Sequence, residues 1–417
     1  MTAPVDAEGR PRCPIDLEVL DPDTFENGVP HEAFATVRET APVYWQEQET
    51  HWDKGFWVVT RYEDIQEVSR TPEVFSSWER GSLLSVNNGL DPEEALNSTR
   101  MLMLNMDPPE HSAYRNIVQR AFTPRTIRDL EPRLREFAED IVDRALAKGE
   151  GDFVVDVAAE LPLLAICELV GVPVEDRKLV FDLSNKLVGG DDPEFRREPE
   201  EAQQTMMEMY LFADRIAAAR KECPADDVAT RLLQASVDGT HLTQEQFDVF
   251  FMLLMVAGNE TTRNAITHGM QAFFEHPDQW EVFKEQRPLE SAAEEIIRWA
   301  TPVMQFQRTA LRDHVLGGQQ VKAGDRVVIY YSSGNRDTAA LPDPHVFDVT
   351  RAENEHVAFG GGGPHFCLGA NLARAEVRIV FDVIADRMPQ IAPLGPPRML
   401  RSNFLHAIKE LPVRYAP

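Results

Sequence analysis

Residues 243–275 carry one hydropathic pattern for longer than any other part of the chain. Thr243 and Gln246 stand at the spacing of a capping box, and His276-Pro277 supplies a stop, so the segment predicts a single helix. At about 1.5 Å of rise per residue it would cross ~50 Å, the width of a domain. Its first half, residues 247–257, is apolar except for Asp248, which predicts burial on nearly every side. The pattern then breaks into Gly258-Asn259-Glu260-Thr261-Thr262-Arg263-Asn264. Polar residues midway along a buried helix either bond to neighbouring helices or line a wet cavity, and a mid-helix Thr often bonds back to a carbonyl one turn earlier. Leu253, Ala257 and Thr261 recur every four residues and share a face, apolar and small at first and then hydroxylic.

Around this helix the spacing predicts further elements. Residues 43–46 and 56–60 read as two strands joined through Asp53-Lys54-Gly55, and residues 326–331 as a buried strand. Helical patterns cover residues 109–120, 125–148, 161–170, 174–187 and 200–222. Residues 81–105 lack a clear period and read as a long loop with apolar insertions at Leu83, Leu84, Met101 and Met103. Residues 189–200, rich in charge, Gly and Pro, read as a mobile surface loop. The sum is a mainly α chain with small β-sheets, an α+β class.

With 43% hydrophobic and 27% charged residues, a large core is feasible. Length alone, at 417 residues, suggests two or three domains. Residues 1–24 hold no apolar run, and residues 247–257 are too few to span a bilayer, so neither signal peptide nor membrane anchor is expected and the cytoplasm is the natural address. A net charge of −27 argues against nucleic acid or an anionic membrane as partner. Residues 112–128 run the other way, with Arg115, Arg120, Arg125 and Arg128 and no acid. Such a patch either steers a negatively charged partner or is plain helix-surface charge.

The most specific chemistry lies in Phe359-Gly360-Gly361-Gly362-Gly363-Pro364-His365-Phe366-Cys367-Leu368-Gly369. One cysteine ends a glycine-rich loop just before a helical run that begins at Ala370. A thiolate metal ligand needs nearby hydrogen-bond donors and low solvent access. Glycines at 361–363 would let backbone N–H groups and a flat macrocycle approach the sulfur, and a helix N-terminus favours negative charge. A buried structural cysteine is the competing reading. A phosphate loop fails for want of Gly-Lys-Ser/Thr, and a zinc site fails because Cys13, Cys167 and Cys223 form no C-x-x-C pair. The loop therefore reads as an axial-cysteine loop for haem.

With one extra residue of spacing, this loop resembles the signature Phe-Gly-x-Gly-x-His/Arg-x-Cys-x-Gly of the cytochrome P450 family. Ala257-Gly258-Asn259-Glu260-Thr261-Thr262 is similar to that family's Ala/Gly-Gly-x-Asp/Glu-Thr-Thr. The resemblance extends over nearly the whole chain and implies one domain over residues 1–417, with the long central helix lying over haem. It implies haem b bound through Cys367, with Ala257, Phe359 and Gly369 against the cofactor and His111, Arg115, Arg308 and His365 at its propionates. It further implies dioxygen, with protons delivered by Glu260 and Thr261 and electrons from NAD(P)H through a ferredoxin and reductase. Glu295 and Arg298 match the family's Glu-x-x-Arg, a structural ion network whose third partner is Arg336 as first choice and Arg351 as second. The family's Pro-x-Arg-Phe is replaced here by His345-Val346-Phe347.

By family position the substrate pocket should be walled by Leu253, Val256, Ala257, Met304, Phe306, Phe404 and Leu405, with ordinary core packing the competing reading for each. None carries a charge, so a hydrophobic small molecule is expected. The runs 258–264, 266–269 and 369–374 look like members that hydroxylate sterol side chains and methyl-branched lipids, which points to a sterol, branched lipid or terpenoid. Electrons should enter on the cysteine side, near Arg115, Arg120 and Arg378. Two alternatives stand beside the monooxygenase: a haem-thiolate oxygenase driven by peroxide, and a non-enzymatic haem-binding sensor.

Overall fold

The computed structural model describes residues 3–48, 54–84, 92–187, 192–195, 198–237 and 240–416. Helices dominate. The first are α1 (His31–Thr40), α2 (Tyr62–Arg70), α3 (Pro92–Thr99), α4 (Glu110–Val118), α5 (Pro124–Lys148), α6 (Glu160–Val170) and α7 (Arg177–Lys186). Then come α8 (Pro199–Glu222), α9 (Val228–Gln234), α10 (Gln244–Glu275), α11 (Pro277–Gln286), α12 (Leu289–Ala300), the one-turn α13 (Tyr331–Gly334) and α14 (Ala370–Arg387).

Local chemistry sets the ends of the long helices. The Thr243 hydroxyl accepts the Gln246 amide at 3.2 Å and the Gln246 side chain accepts the Thr243 amide at 2.9 Å, which closes the capping box of α10. Pro277 then opens α11 and cannot extend α10. Thr123 caps α5, Pro124 occupies its first turn, and Gly149 at φ 79° ends it. The central helix α10 packs against α6, α8, α12 and α14, and α14 lies along α5. One large apolar core runs through these helices, from Phe247 and Phe251 to Phe273, Phe283 and Phe381.

A five-stranded sheet flanks the helices in the order Val43–Glu47, Gly55–Val59, Arg326–Tyr330, Gln305–Ala310, Phe75–Ser76. The first pair is antiparallel with Trp45 opposite Trp57, the second is parallel, and Val328 faces Gln307 across the third. A Cβ at Gly55 would lie 2.7 Å from the Trp45 ring, so this strand start needs glycine. Asp53, expected in the connecting turn, lies outside the described residues. Near the C-terminus Arg398–Met399 pairs with Ile408–Glu410, and Pro412–Arg414 pairs with both Ala392–Pro393 and Glu150–Asp152.

Three sequence expectations need correction. Residues 81–105 are not a plain loop: α3 and a short 3-10 turn, Met103–Asn105, form within them. Asn105 organises this stretch, accepting from the Ser82 amide at 2.8 Å and hydroxyl at 2.6 Å and donating to the Thr99 carbonyl at 2.9 Å. A buried asparagine can replace hydropathic periodicity as the ordering signal. Residues 174–187 divide into a 3-10 turn, Val174–Asp176, and α7. The strand expected over 326–331 stops at Tyr330, because Tyr331 opens α13. Of the expected loop 189–200, residues 189–191, 196 and 197 lie outside the described residues. Among the described residues no helix is long and apolar enough to cross a membrane.

Candidate active site

Cys367 lies three residues before α14, and its amide donates to the Phe359 carbonyl at 2.9 Å, closing the loop. Gly360, Gly362 and Gly363 adopt φ of 98°, 92° and 74°, the left-handed region that favours glycine. The loop's glycines answer to α2, a packing demand beyond the one the sequence suggests at the sulfur. A Cβ at Gly361 would come within 2.5 Å of the Ser69 hydroxyl and 2.8 Å of the Ile65 carbonyl, and one at Gly363 would overlap the Ser69 carbonyl. Arg70 fastens the same contact by donating to the Gly361 carbonyl at 3.1 Å. The sulfur-bearing side chain is accessible, yet to an internal cleft and not to the outer surface. Burial pushes the Cys367 thiol up, while the amides of Gly369 and Ala370 and the guanidinium groups of Arg115 and Arg374 pull the other way. Phe359 packs on the core and its ring lies 4.5 Å from the Arg374 guanidinium.

Beside this loop the fold gathers cations that make no ion pair among the described residues, although Asp107 acts on Arg308 from a longer distance. Arg308 is buried on the central sheet and its hydrogen bond is to a neutral carbonyl, that of Gln307, at 2.6 Å. Arg115 is half-buried, and among the described residues neither arginine makes an ion pair. The His111 and His365 rings lie 4.2 Å apart, His365 meets the Ser77 hydroxyl at 3.1 Å, and both His111 nitrogens are buried without a hydrogen-bond partner among the described residues. Burial, then Arg115, holds His111 down at about 4; burial, then Arg308 and His111, takes His365 to about 2. One buried and one half-buried arginine and an unpartnered imidazole suit a ligand that carries carboxylates. That donor set fits the two propionates of haem, which these residues would hold while Cys367 would bind its iron. Haem held there supplies thiolate-supported activation of dioxygen.

Along α10 accessibility follows one stripe. Leu253, Val256, Gly258 and Thr261 are half-buried and Ala257 is exposed, while Leu254, Met255, Asn259 and Glu260 are buried. The helix therefore lines a cleft on the face that the four-residue spacing identifies. The Thr261 hydroxyl donates to the Ala257 carbonyl at 2.9 Å, the local bond that mid-helix threonines favour. Glu260 pairs with Arg263 one turn on; burial raises its pKa and Arg263 opposes that rise. Glu376 carries no signal in the sequence pattern. This carboxyl on α14 is buried, neither oxygen has a hydrogen-bond partner among the described residues, and burial lifts it to about 8 despite the nearby Thr262 hydroxyl. Asn259 is equally buried, with both amide atoms unpartnered.

Behind the cysteine loop, Glu295 and Arg298 form a doubly hydrogen-bonded pair at 2.7 and 2.8 Å with no side-chain exposure. Their third partner is Arg351, 3.1 Å from Glu295, not Arg336. Arg336 instead stacks over the Trp299 ring at 3.9 Å. The reason is the backbone: Asp348 donates its amide to Glu295 at 2.8 Å and Asn354 its side chain at 3.0 Å, so the chain on either side of Arg351 is already held there. A second network lies beside the first. Glu294 accepts from Arg374 of α14 and meets His356 at 3.0 Å, and its carboxyl lies at about 2. Burial would raise it, but these partners prevail. Adjacent acids on α12 thus hold two sides of the cysteine segment, a role that the pair Glu294-Glu295 hints at in sequence only once Arg374 is placed.

The expected pocket residues fall into two groups. Leu253, Val256 and Ala257 lie on the accessible stripe of α10. Phe306 and Phe404 stack edge to face at 5.6 Å, and Met304 donates its amide to the Phe404 carbonyl at 2.9 Å. Leu405 is buried with Leu400 and Ala407, while Met304 is buried in a separate core on the sheet. Of the arginines expected to meet an electron donor, Arg120 is exposed and makes no ion pair among the described residues. Arg115 faces the cysteine cleft, and Arg378 is neutralised by Glu131. Gly369 caps α14 with open space around its Cα.

Comparison with known proteins agrees with this architecture. Residues 174–386 match the sequence model described as Cytochrome P450. The chain is 50% identical over 413 residues to the steroid C26-monooxygenase of Rhodococcus jostii, covering 98% of this chain and 87% of the relative. It is 39% identical to the methyl-branched lipid omega-hydroxylase of Mycobacterium tuberculosis, covering 97% and 96%. A Mycobacterium marinum cytochrome P450 solved in complex with pseudoionone superposes with a TM-score of 0.90 at 39% identity, covering 98% of this chain and 100% of that one. Half the chain in one family model, half its residues shared with a relative over nearly the full length, and a matching fold leave one conclusion: the chain is a member of the cytochrome P450 family, a haem-thiolate monooxygenase of hydrophobic substrates.

Proposed function

We propose that this enzyme hydroxylates the end of a sterol side chain or of a methyl-branched lipid. The observation that carries the reading is likeness over nearly the full length to relatives named for C26 and omega oxidation. The apolar surface of Leu253, Val256, Ala257, Phe306 and Phe404 supports it, because burying a hydrocarbon against such walls is favourable and no charge there would reward a polar substrate. In this reading Thr261 exchanges its bond to the Ala257 carbonyl for one to dioxygen. Glu260, released from Arg263, passes protons inward from the protein's exterior. Electrons arrive from an acidic ferredoxin at the exposed arginines 120, 125 and 128, in the cytoplasm.

The test uses purified haem-loaded enzyme. Carbon monoxide added after reduction should give the spectrum of thiolate ligation. Cholesterol and a methyl-branched fatty acid should each be examined for a low- to high-spin shift, with products from a ferredoxin-reconstituted reaction identified by mass spectrometry. A terminal alcohol from either substrate supports the proposal. Oxidation confined to ring carbons, or no shift with either ligand, removes it.

A further inference from the structure

The end of α12, the start of α1 and the turn at His406 meet around a buried cation. Arg336 is 3% exposed, its guanidinium lies 3.9 Å from the Trp299 ring, and its Nη2 reaches the Trp299 carbonyl at 3.4 Å. Its Nη1 is buried without a hydrogen-bond partner, and the side chain makes no ion pair among the described residues. The acid that acts on it is Glu295, but both oxygens of that carboxylate are taken by Arg298, Arg351, Asn354 and the Asp348 amide. Arginine cannot discharge itself by losing a proton, so a guanidinium buried in this way carries a desolvation cost until a counter-charge arrives.

Imidazoles surround the same place. The Ala300 carbonyl, next to the one that Arg336 reaches, accepts from His406 Nδ1 at 2.6 Å, so that nitrogen carries the proton. The His406 ring stacks on His268 at 3.9 Å, and its Nε2 lies 3.9 Å from the place that a Cβ would take at Gly28, in the turn before α1. At the first position of α1, His31 Nδ1 is buried without a partner among the described residues. His31 shares a helix face with Arg38, seven residues on, and Arg38 donates to the carbonyls of Arg336 at 2.8 Å and Ser333 at 3.1 Å. Burial, then Arg336 and His406, holds His31 well below its ordinary pKa, which leaves a neutral ring able to donate through one nitrogen. His31 and His406 keep accessible surface although each lies deep in the fold, so that surface faces an internal space.

We propose that Arg336 Nη1 and His31 Nδ1 bind a single monovalent anion of chloride size, which ties the start of α1 to the end of α12. One uncompensated guanidinium matches one negative charge, and a charged and a neutral N–H together give it two hydrogen bonds. His406 is held at about 4 and is therefore neutral near pH 7. With its Nδ1 proton on the Ala300 carbonyl, it turns a lone pair at Nε2 toward the space, which keeps an anion on the side of Arg336 and His31. Neither Arg336 nor His31 belongs to the cysteine loop, the cluster expected at the propionates or the accessible stripe of α10, so the site is separate from the reaction.

The experiment titrates chloride into full-length haem-loaded enzyme at constant ionic strength, with gluconate as the replacement anion. The thermal midpoint should rise to a plateau, by about 2 °C or more, and amide exchange over residues 31–38 should slow. Arg336→Met should abolish both responses. His31→Phe, which keeps an aromatic ring at the start of α1, should raise the chloride needed for half the response about tenfold. Crystals grown in bromide should show an anomalous peak within hydrogen-bond reach of Arg336 Nη1. Equal midpoints in chloride and gluconate overturn the proposal, as does an undiminished response in Arg336→Met or the lack of a bromide peak at that nitrogen. A bromide peak with no effect of chloride in solution means an adventitious ion only and ends it as well. If Arg336→Met fails to fold, His31→Phe decides, a weakened chloride response supporting the site and an unchanged one removing it.

Discussion

Single side chains decide how protons and charge are stored in this molecule. Thr261 was legible in sequence as one member of a four-residue stripe, and the structure places it on the accessible face of α10. Replacing it by Ala should leave reductant consumption in place while product per reductant falls by about tenfold or more, with the balance appearing as hydrogen peroxide; full coupling in that variant would refute the role. Glu376 was not legible, because nothing in a helical run near the C-terminus marks one Glu as sealed against another helix. With its folded pKa at about 8 against an ordinary 4.5, it remains protonated in the native state over a range where the unfolded chain has lost the proton. Its contribution is present below pH 4.5 and is lost as pH rises toward 8, with a slope of roughly 1.4 kcal/mol per pH unit at most. Asp248, raised to about 6, adds a slope of the same sign over part of that range. The difference between the wild type and Glu376→Gln in denaturant titrations from pH 5 to 8 should therefore isolate the Glu376 term: the variant gains relative stability as pH rises. A pH-independent difference would show that Glu376 is ionised in the fold.

Elements are held in place by a few polar contacts that local patterns only partly encode. The capping box and the His276-Pro277 stop set the ends of α10 from sequence alone, because both act within one turn. The third partner of Glu295 could not be read in this way. Arg336 and Arg351 are both arginines at suitable separations, and only the path of the backbone through Asp348 and Asn354 selects Arg351. Arg351→Met should cost about 2–4 kcal/mol in chemical denaturation, since it leaves a fully buried carboxylate half-compensated. Arg336→Met should cost less, because it removes a stacking cation whose Nη1 has no hydrogen-bond partner. The reverse order would show that Arg336 is the structural partner after all. The glycine loop offers a second case. Gly363→Ala should weaken haem retention through α2, because the added methyl group overlaps the Ser69 carbonyl and the left-handed φ disfavours any side chain; loss of haem during gel filtration is the measurement.

At the scale of the whole molecule the charge distribution becomes informative. A chain of net charge −27 would repel an acidic redox protein, yet Arg120, Arg125 and Arg128 are all exposed around the start of α5. Turnover with ferredoxin should fall as ionic strength rises, and Arg120→Glu should lower it by about tenfold at low salt while leaving the carbon monoxide spectrum unchanged. Arg378→Glu should disturb packing against Glu131 more than it disturbs docking, since that guanidinium already has a carboxylate partner. Insensitivity of turnover to both salt and Arg120→Glu would move the docking surface elsewhere.

Sequence by itself determined the long helix and its ends, the cysteine loop and the pairing of a carboxyl with a hydroxyl midway along a buried face. Each is written in neighbouring residues, where spacing and short-range hydrogen bonding act. Tertiary structure alone decided what α2 requires of the glycines, which arginine closes the Glu295 network, that Glu294 reaches Arg374, and that Glu376 is sealed. It also set Arg336 and His406 on successive carbonyls at the end of α12. Those outcomes depend on which distant surfaces meet and how much water is excluded between them, and burial of that kind has no local signature.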